Sequence, residues 1–280
     1  MAVKIITDSA SDIINLGVEN LTVVPMKISF GEEDYLDGIT ISHKEFYKKL
    51  LETDTLPKTS MINPYSFMEA IDNVKQDGDE VVIITVSSKL SGTYNSAVTA
   101  SQDHEDVYVV DSENVCVGER VLVEYALSLA KQGISAKKIV EILEDKKKSV
   151  CLITLLDTLE YLKKGGRISN TVGLVGEVLS IKPVITVSNG ELKILGKARG
   201  SKKGSILLTQ EIEKCGGIDF EMPLCLAYSG FDDIIIKKYI QDNEQLWEDN
   251  ADNLTIGTVG ATIGTHAGPG AIAVAFFSKK

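Results

Sequence analysis

Short β-branched runs alternate with helical segments through the first half of the chain, and this alternation limits the fold more than any other feature. The runs are Val3–Thr7, Val23–Ile28, Val81–Val86 and Val107–Val110. Strands spaced by helices predict βαβ units and a largely parallel sheet. The helices between them carry their own start signals. Ser42 and Glu45 form a capping box ahead of Phe46, Tyr47, Leu50 and Leu51 on one face. Asn63 is an N-cap with Pro64 at the first helical position, followed by a stripe of Phe67, Met68, Ile71 and Val74. Val121, Leu122, Tyr125, Ala126 and Leu129 make another stripe, and Ser135 caps a helix carrying Ile139, Val140, Ile142 and Leu143.

The second half has a different rhythm. A strand at Cys151–Thr154 precedes a helix that Gly165-Gly166 ends, and a further helix carries Val172, Val175, Val178 and Leu179. Val184–Val187, Asn189-Gly190 and Leu192–Leu195 read as a hairpin, because Asn-Gly supplies the two positive-φ residues that a tight turn needs. A helix near Ser205–Lys214, a strand at Leu224–Tyr228 and a helix near Asp232–Trp247 follow. Two last runs, Leu254–Val259 and Ala271–Phe277, bracket a glycine-rich loop. The expected fold is therefore α/β, in two domains. Residues 1–150 form a largely parallel sheet flanked by helices, and residues 151–280 a mixed sheet with helices, with a compact hinge near 150. A cleft between them is the default ligand site.

Charge and composition narrow the function. The 280 residues carry a net charge of −11, with basic runs only at Lys146–Lys148 and Lys202-Lys203, both expected on solvated surface. Nucleic acid is excluded as a partner, since phosphate binding needs clustered cations. The longest clean apolar stretch, Ala271–Phe277, is far short of the ~20 residues that cross a bilayer. Asp8 comes too early for a secretory signal. Cys116, Cys151, Cys215 and Cys225 show no C-x-x-C spacing, so free thiols in a reducing cytoplasm are expected.

Five segments look chemical. Thr7-Asp8-Ser9-Ala10-Ser11-Asp12 follows a strand, where open α/β sheets bind ligands. An aspartyl nucleophile would need a second Asp where Ala10 stands, so these side chains are expected to bond the strand-to-helix turn. Lys58-Thr59-Ser60 supplies hydroxyls ahead of a helix, for capping or for a ligand. In Ser87–Ser96, Ser91, Gly92 and Thr93 open a helix whose free N–H groups suit an anionic head group, with Gly92 allowing close backbone approach. Plain capping is the other reading, and Ser91 as a nucleophile a third, although no G-x-S-x-G is present. Arg167 and Arg199 sit in glycine-flanked turns, suited to an ion pair or to anion or partner recognition. His266 lies in Gly264–Ala271 with no second His and no Cys at ligand spacing, so no metal site is expected. His43 and His104 are expected at the surface.

Taken together, the five segments resemble the DegV family, the fatty-acid-binding component of bacterial fatty acid kinase. The resemblance rests on Thr7–Asp12, Lys58-Thr59-Ser60, Leu90–Tyr94, Leu162–Ile168 and Gly264–Ala271, in that order along the whole chain. It implies a two-domain α/β protein that holds one long-chain fatty acid such as palmitate, for phospholipid metabolism. The tail is buried mainly in residues 151–280, with the carboxylate at the domain junction. By the same analogy Thr59, Ser91 and His266 hydrogen-bond the carboxylate, Ser60, Gly92 and Thr93 are secondary contacts, and Arg167 and Arg199 touch a partner or its phosphate. The partner is a separate ATP-dependent kinase subunit that makes the acyl phosphate. The resemblance also makes peripheral membrane contact an expectation, for lipid exchange. No glycine-rich ATP loop is present, so neither turnover by the single chain nor a cofactor is expected. One departure stands out: many relatives read Thr-Ser-Gln-Pro where this chain has Thr59-Ser60-Met61-Ile62, which places an apolar group at the pocket mouth.

The physics suits such a carrier. About 14 buried methylenes at ~0.8 kcal/mol each offer roughly 11 kcal/mol before association costs. A carboxylate out of water then needs hydrogen bonds, which two hydroxyls, an imidazole and a helix N-terminus supply without a fixed counter-charge. The competing readings are a lipid-ester hydrolase with Ser91 as nucleophile and His266 as base, and a stand-alone kinase-like subunit for a small hydroxyketone.

Overall fold

The computed structural model of the protein describes residues 2–14, 17–53, 55–168 and 180–279. The β-branched runs form a four-stranded, all-parallel sheet in the order β2 (Leu21–Val24), β1 (Val3–Asp8), β6 (Glu80–Thr85), β7 (Val107–Asp111). Both faces of this sheet are covered. Val82 and Ile84 pack on one side and Val81 and Ile83 on the other, as a two-residue period requires. A small antiparallel sheet, β4 (Glu33–Leu36), β3 (Lys27–Phe30), β5 (Lys58–Ser60), stands beside it.

From Val150 onward the chain builds a six-stranded mixed sheet. Its order is β10 (Glu191–Arg199), β9 (Ile181–Ser188), β8 (Val150–Leu155), β13 (Ile272–Phe277), β11 (Cys225–Tyr228), β12 (Thr255–Thr258). Neighbours are antiparallel except β11 and β12. The Asn-Gly hairpin forms as expected, with Asn189 at φ 53° and Gly190 at φ 77° between β9 and β10.

Helices complete the layers. α1 (His43–Glu52) covers the small sheet, and α2 (Pro64–Val74) and α3 (Thr93–Ser101) one face of the parallel sheet. α4 (Val117–Lys131) and α5 (Ala136–Lys146) take its other face. α4 also packs on β8, β11 and β13, so one core runs from Ile5 and Val82 through Val121 and Leu122 to Ala273 and Phe277. α6 (Glu160–Lys164) follows β8. α7 (Ser201–Lys214), α8 (Ile234–Asp242) and α9 (Glu244–Trp247) cover the far side of the mixed sheet, and α10 (Ala261–Ala267) leads into β13.

Several expectations need correcting. Val23–Ile28 is not one strand: Pro25 donates no hydrogen bond, the Met26 N–H goes to Ser9 Oγ, and the chain steps there between sheets. The glycine-rich stretch around His266 is the helix α10, not a loop; Gly268 at φ 68° ends it. The helix expected over Asp232–Trp247 breaks at Asn243, whose Nδ2 donates to Tyr239 O and whose Oδ1 accepts from Thr209. Met68 and Leu51 face solvent, Lys147 is buried against Glu113 and Glu144, and His43 is half-buried on Thr258. The helix expected to carry Val172, Val175, Val178 and Leu179 lies outside the described residues.

Gly264 shows how tightly α10 is seated. A Cβ there would come within 2.6 Å of the Phe46 ring and 2.8 Å of the Tyr47 hydroxyl, both fully buried. Gly264→Val is expected to cost about 1–3 kcal/mol of stability by overpacking, read as a lowered urea midpoint with an unchanged slope.

Candidate functional site

A cavity with about 100 Å³ of internal space, open at one mouth, lies between the two large sheets. Its walls follow from strand alternation. On β8 and just beyond it, Leu152, Thr154 and Leu156 point inward, while Ile153 and Leu155 face α7 and α8. Ala273 pairs with Thr154 on the neighbouring strand β13, and these two small side chains leave space over the shared face of the sheet. The larger share of the wall comes from residues 151–280. Ala10, Met26, Val86, Leu90 and Cys116 line it from the first half.

All five chemical segments reach this cavity. They contribute Ala10, then Thr59 and Ser60, then Leu90 and Ser91, then Arg167, then His266, Ala267 and Ala271. Thr59 sits on β5, paired with Ile28, and its Oγ1 lies 2.9 Å from His266 Nε2. His266 is carried by α10. Its Nδ1 is buried with no hydrogen-bond partner among the described residues, against Gly165, where a Cβ would come within 2.2 Å of that nitrogen. Burial, and secondarily the Arg167 guanidinium, push the His266 pKa down to about 4, so the ring is neutral near neutral pH.

Ser91 is set by the turn after β6. Its Oγ lies 2.9 Å from Thr93 Oγ1 and accepts from the Thr93 N–H at 3.3 Å. Thr93 is fully buried and accepts from the Ile62 N–H, so it braces Ser91 from behind the cavity wall. Gly92 also stands behind the wall. A Cβ there would come within 2.4 Å of Met61 Sδ, so the glycine makes room for Met61.

The expectation of a head-group site without a fixed counter-charge fails. Arg167 lines the cavity, held by Nε donating to Leu90 O at 3.3 Å and Nη1 donating to Gly165 O at 2.8 Å. Among the described residues it pairs with no carboxylate, and its charge is near enough to His266 to lower that residue's pKa. Arg199 does not join the cluster; it is exposed at the end of β10. The bonds a Ser91–His266 hydrolase would use are absent among the described residues, since each side chain is bonded elsewhere and no acid orients His266. No described group of three or more His, Cys, Asp or Glu is placed to hold a metal, and no described helix is long and apolar enough to cross a membrane.

Sequence reasoning missed Met26, Thr154, Cys116 and Ala273. Their inward position is set by which strands pair, and no local pattern carries that.

The fold and cavity define a class: layered α/β proteins enclosing an apolar slot with a polar, cationic mouth. The chain belongs to the DegV family, whose model, described as "Uncharacterised protein, DegV family COG1307", matches residues 2–279. A DegV domain-containing protein of Caldanaerobacter subterraneus subsp. tengcongensis is 35% identical, over 99% of each chain. Among solved structures, the chain is similar to a fatty-acid-binding DegV family protein of Thermus thermophilus, with a TM-score of 0.87 and 28% identity over 99% of this chain and 100% of that one. It is also similar to the fatty acid kinase B3 protein of Streptococcus pneumoniae, solved loaded with linoleic acid. There the TM-score is 0.85 and the identity 26%, over 99% of each chain.

Proposed function

We propose that this protein holds one long-chain fatty acid in the inter-sheet cavity and presents its carboxylate, at the mouth, to a separate ATP-dependent kinase subunit. The observation that carries this is the meeting of Thr59, Ser91, His266 and Arg167 on one largely apolar cavity. Residues 1–150 would bring the hydroxyls and residues 151–280 the imidazole and the guanidinium. Because His266 Nδ1 meets no acceptor, we place the ring proton on Nε2, donating to Thr59 Oγ1. The Thr59 hydroxyl hydrogen then points to the ligand, beside that of Ser91. Arg167 supplies the charge that keeps a buried carboxylate ionised, and its bonds to two backbone carbonyls hold it back from clamping both oxygens. One oxygen stays free to attack the γ-phosphorus of ATP held by the partner, with ADP leaving. Exposed Arg199 is left for that partner. The chain, acting in the cytoplasm, would need no cofactor, and lipid would exchange at a membrane surface through Met61, Tyr65 and Met68, all exposed.

Native mass spectrometry of the purified protein is expected to show one bound fatty acid. Ser91→Ala and His266→Ala should each weaken palmitate binding by about 1–3 kcal/mol, or roughly 5- to 150-fold, with the fold intact. Unchanged affinity in both would overturn the head-group assignment. Acyl phosphate made from palmitate and ATP by the single chain would overturn the division of labour, and ester cleavage lost in Ser91→Ala would favour the hydrolase.

A further inference from the structure

We propose that Asp12 and Asp37 are positioning residues that fix the first turn of α10 and so set the reach of His266 to Thr59. This rests on the head-group reading above. It also gives the opening motif a task that ligand contact leaves unexplained, since only Ala10 of that motif touches the cavity.

Both carboxylates are buried, at 3% and 4% exposure. Asp12 Oδ1 accepts from the Gly260 N–H at 2.8 Å. Asp37 Oδ1 accepts from the Ala261 N–H and Oδ2 from the Thr262 N–H, each at 2.9 Å. Three successive amides at the start of α10 are thus held by side chains more than 220 residues away in sequence. Ser9 of the opening motif adds a hydroxyl contact to Thr262 at 3.4 Å, and Tyr47 donates to Val259 O at 3.1 Å. Position 260 has to be glycine for this. A Cβ there would lie 3.1 Å from Asp12 Oδ1, 3.2 Å from Asp37 Oδ1 and 2.8 Å from His43 Nε2.

Asp37 is itself tied to the small sheet. It follows β4 directly, and its N–H donates to Met26 O at 3.0 Å, one residue before β3. That sheet also carries Thr59 on β5. Both ends of the Thr59–His266 bond are therefore referenced to one element, Thr59 directly and His266 through Asp37. The lever is short. His266 stands five residue steps beyond Ala261, about 7.5 Å of rise, so a tilt of roughly 10° moves the ring by about 1 Å. That is enough to break a bond of 2.9 Å.

The test uses the full chain with its histidines isotopically labelled. In Asp37→Ala the His266 ring signals of the ligand-free protein are expected to move toward those of a solvated imidazole, and palmitate affinity to fall about tenfold or more. Asp37→Asn, which keeps one acceptor, should lose less. The double variant with His266→Ala should bind palmitate no worse than His266→Ala alone, because both changes remove the same contact. If Asp37→Ala does not fold, Asp12→Ala removes a single cap bond and is read in the same way. Unmoved His266 signals in a folded variant, or additive losses in the double variant, would overturn the proposal. Failure of the wild-type protein to bind palmitate would instead overturn the function proposed above, while the ring signals would still decide the clamp.

Discussion

Ala273→Phe is expected to yield a folded protein that purifies without lipid. Ala273 is 2% exposed and faces the cavity beside Thr154. A phenyl ring there occupies space that an acyl chain would fill. Ejecting roughly four methylenes forfeits about 3 kcal/mol, or about a 200-fold loss of palmitate affinity. Overpacking a filled core would cost stability, whereas filling a real void should leave the melting temperature level or raise it. Ala10→Leu, from the opposite wall, should act in the same direction. Calorimetric titration with palmitate and a thermal melt decide the matter. Wild-type affinity in a folded Ala273→Phe protein would mean that the acyl chain lies elsewhere.

A loss of stability on the alkaline side is the second large effect. Burial pushes the Asp8 carboxyl up to about 7 and the Asp12 carboxyl up to about 8, and it holds Glu119 well above the usual range. In an unfolded chain these groups titrate near 4. Between about pH 4 and 8 the folded form therefore binds more protons than the unfolded form. Stability from these groups is complete below their unfolded values and is lost as pH rises through about 7 to 8. His266 works the other way. With its folded pKa pushed down to about 4, its contribution grows as pH rises toward about 6.5. The melting temperature should peak at mildly acidic pH and fall toward about pH 9. Asp12→Asn keeps an acceptor for Gly260 and should flatten that fall. A melting temperature that holds level or rises from about pH 6.5 to 9 would show that these acids are ionised in the fold.

Much of the architecture was legible from neighbouring residues. The Ser42–Glu45 capping box, the Asn63-Pro64 start and the Asn189-Gly190 turn formed as read, because each is a set of bonds or dihedrals closed within a few residues. The five chemical segments were legible as well, and all converge on the cavity. Errors arose where a distant group intervened. His266 was read into a loop, yet Asp37 and Asp12 cap its segment into a helix. The carboxylate was expected to be held without a fixed counter-charge, yet folding brings Arg167 to the cavity.

Local order determined the elements, their caps and the hydroxyl, imidazole and guanidinium groups available for chemistry. Tertiary structure alone decided that Thr59 meets a histidine 207 residues away, that Thr154 and Ala273 pair side by side as small residues on the cavity face of the sheet, and that a buried ring beside a guanidinium stays neutral. The division has a physical cause. A hydrogen bond within a turn depends on adjacent dihedrals, whereas a void, a pKa and a contact across the core depend on which remote segments exclude water from the same place.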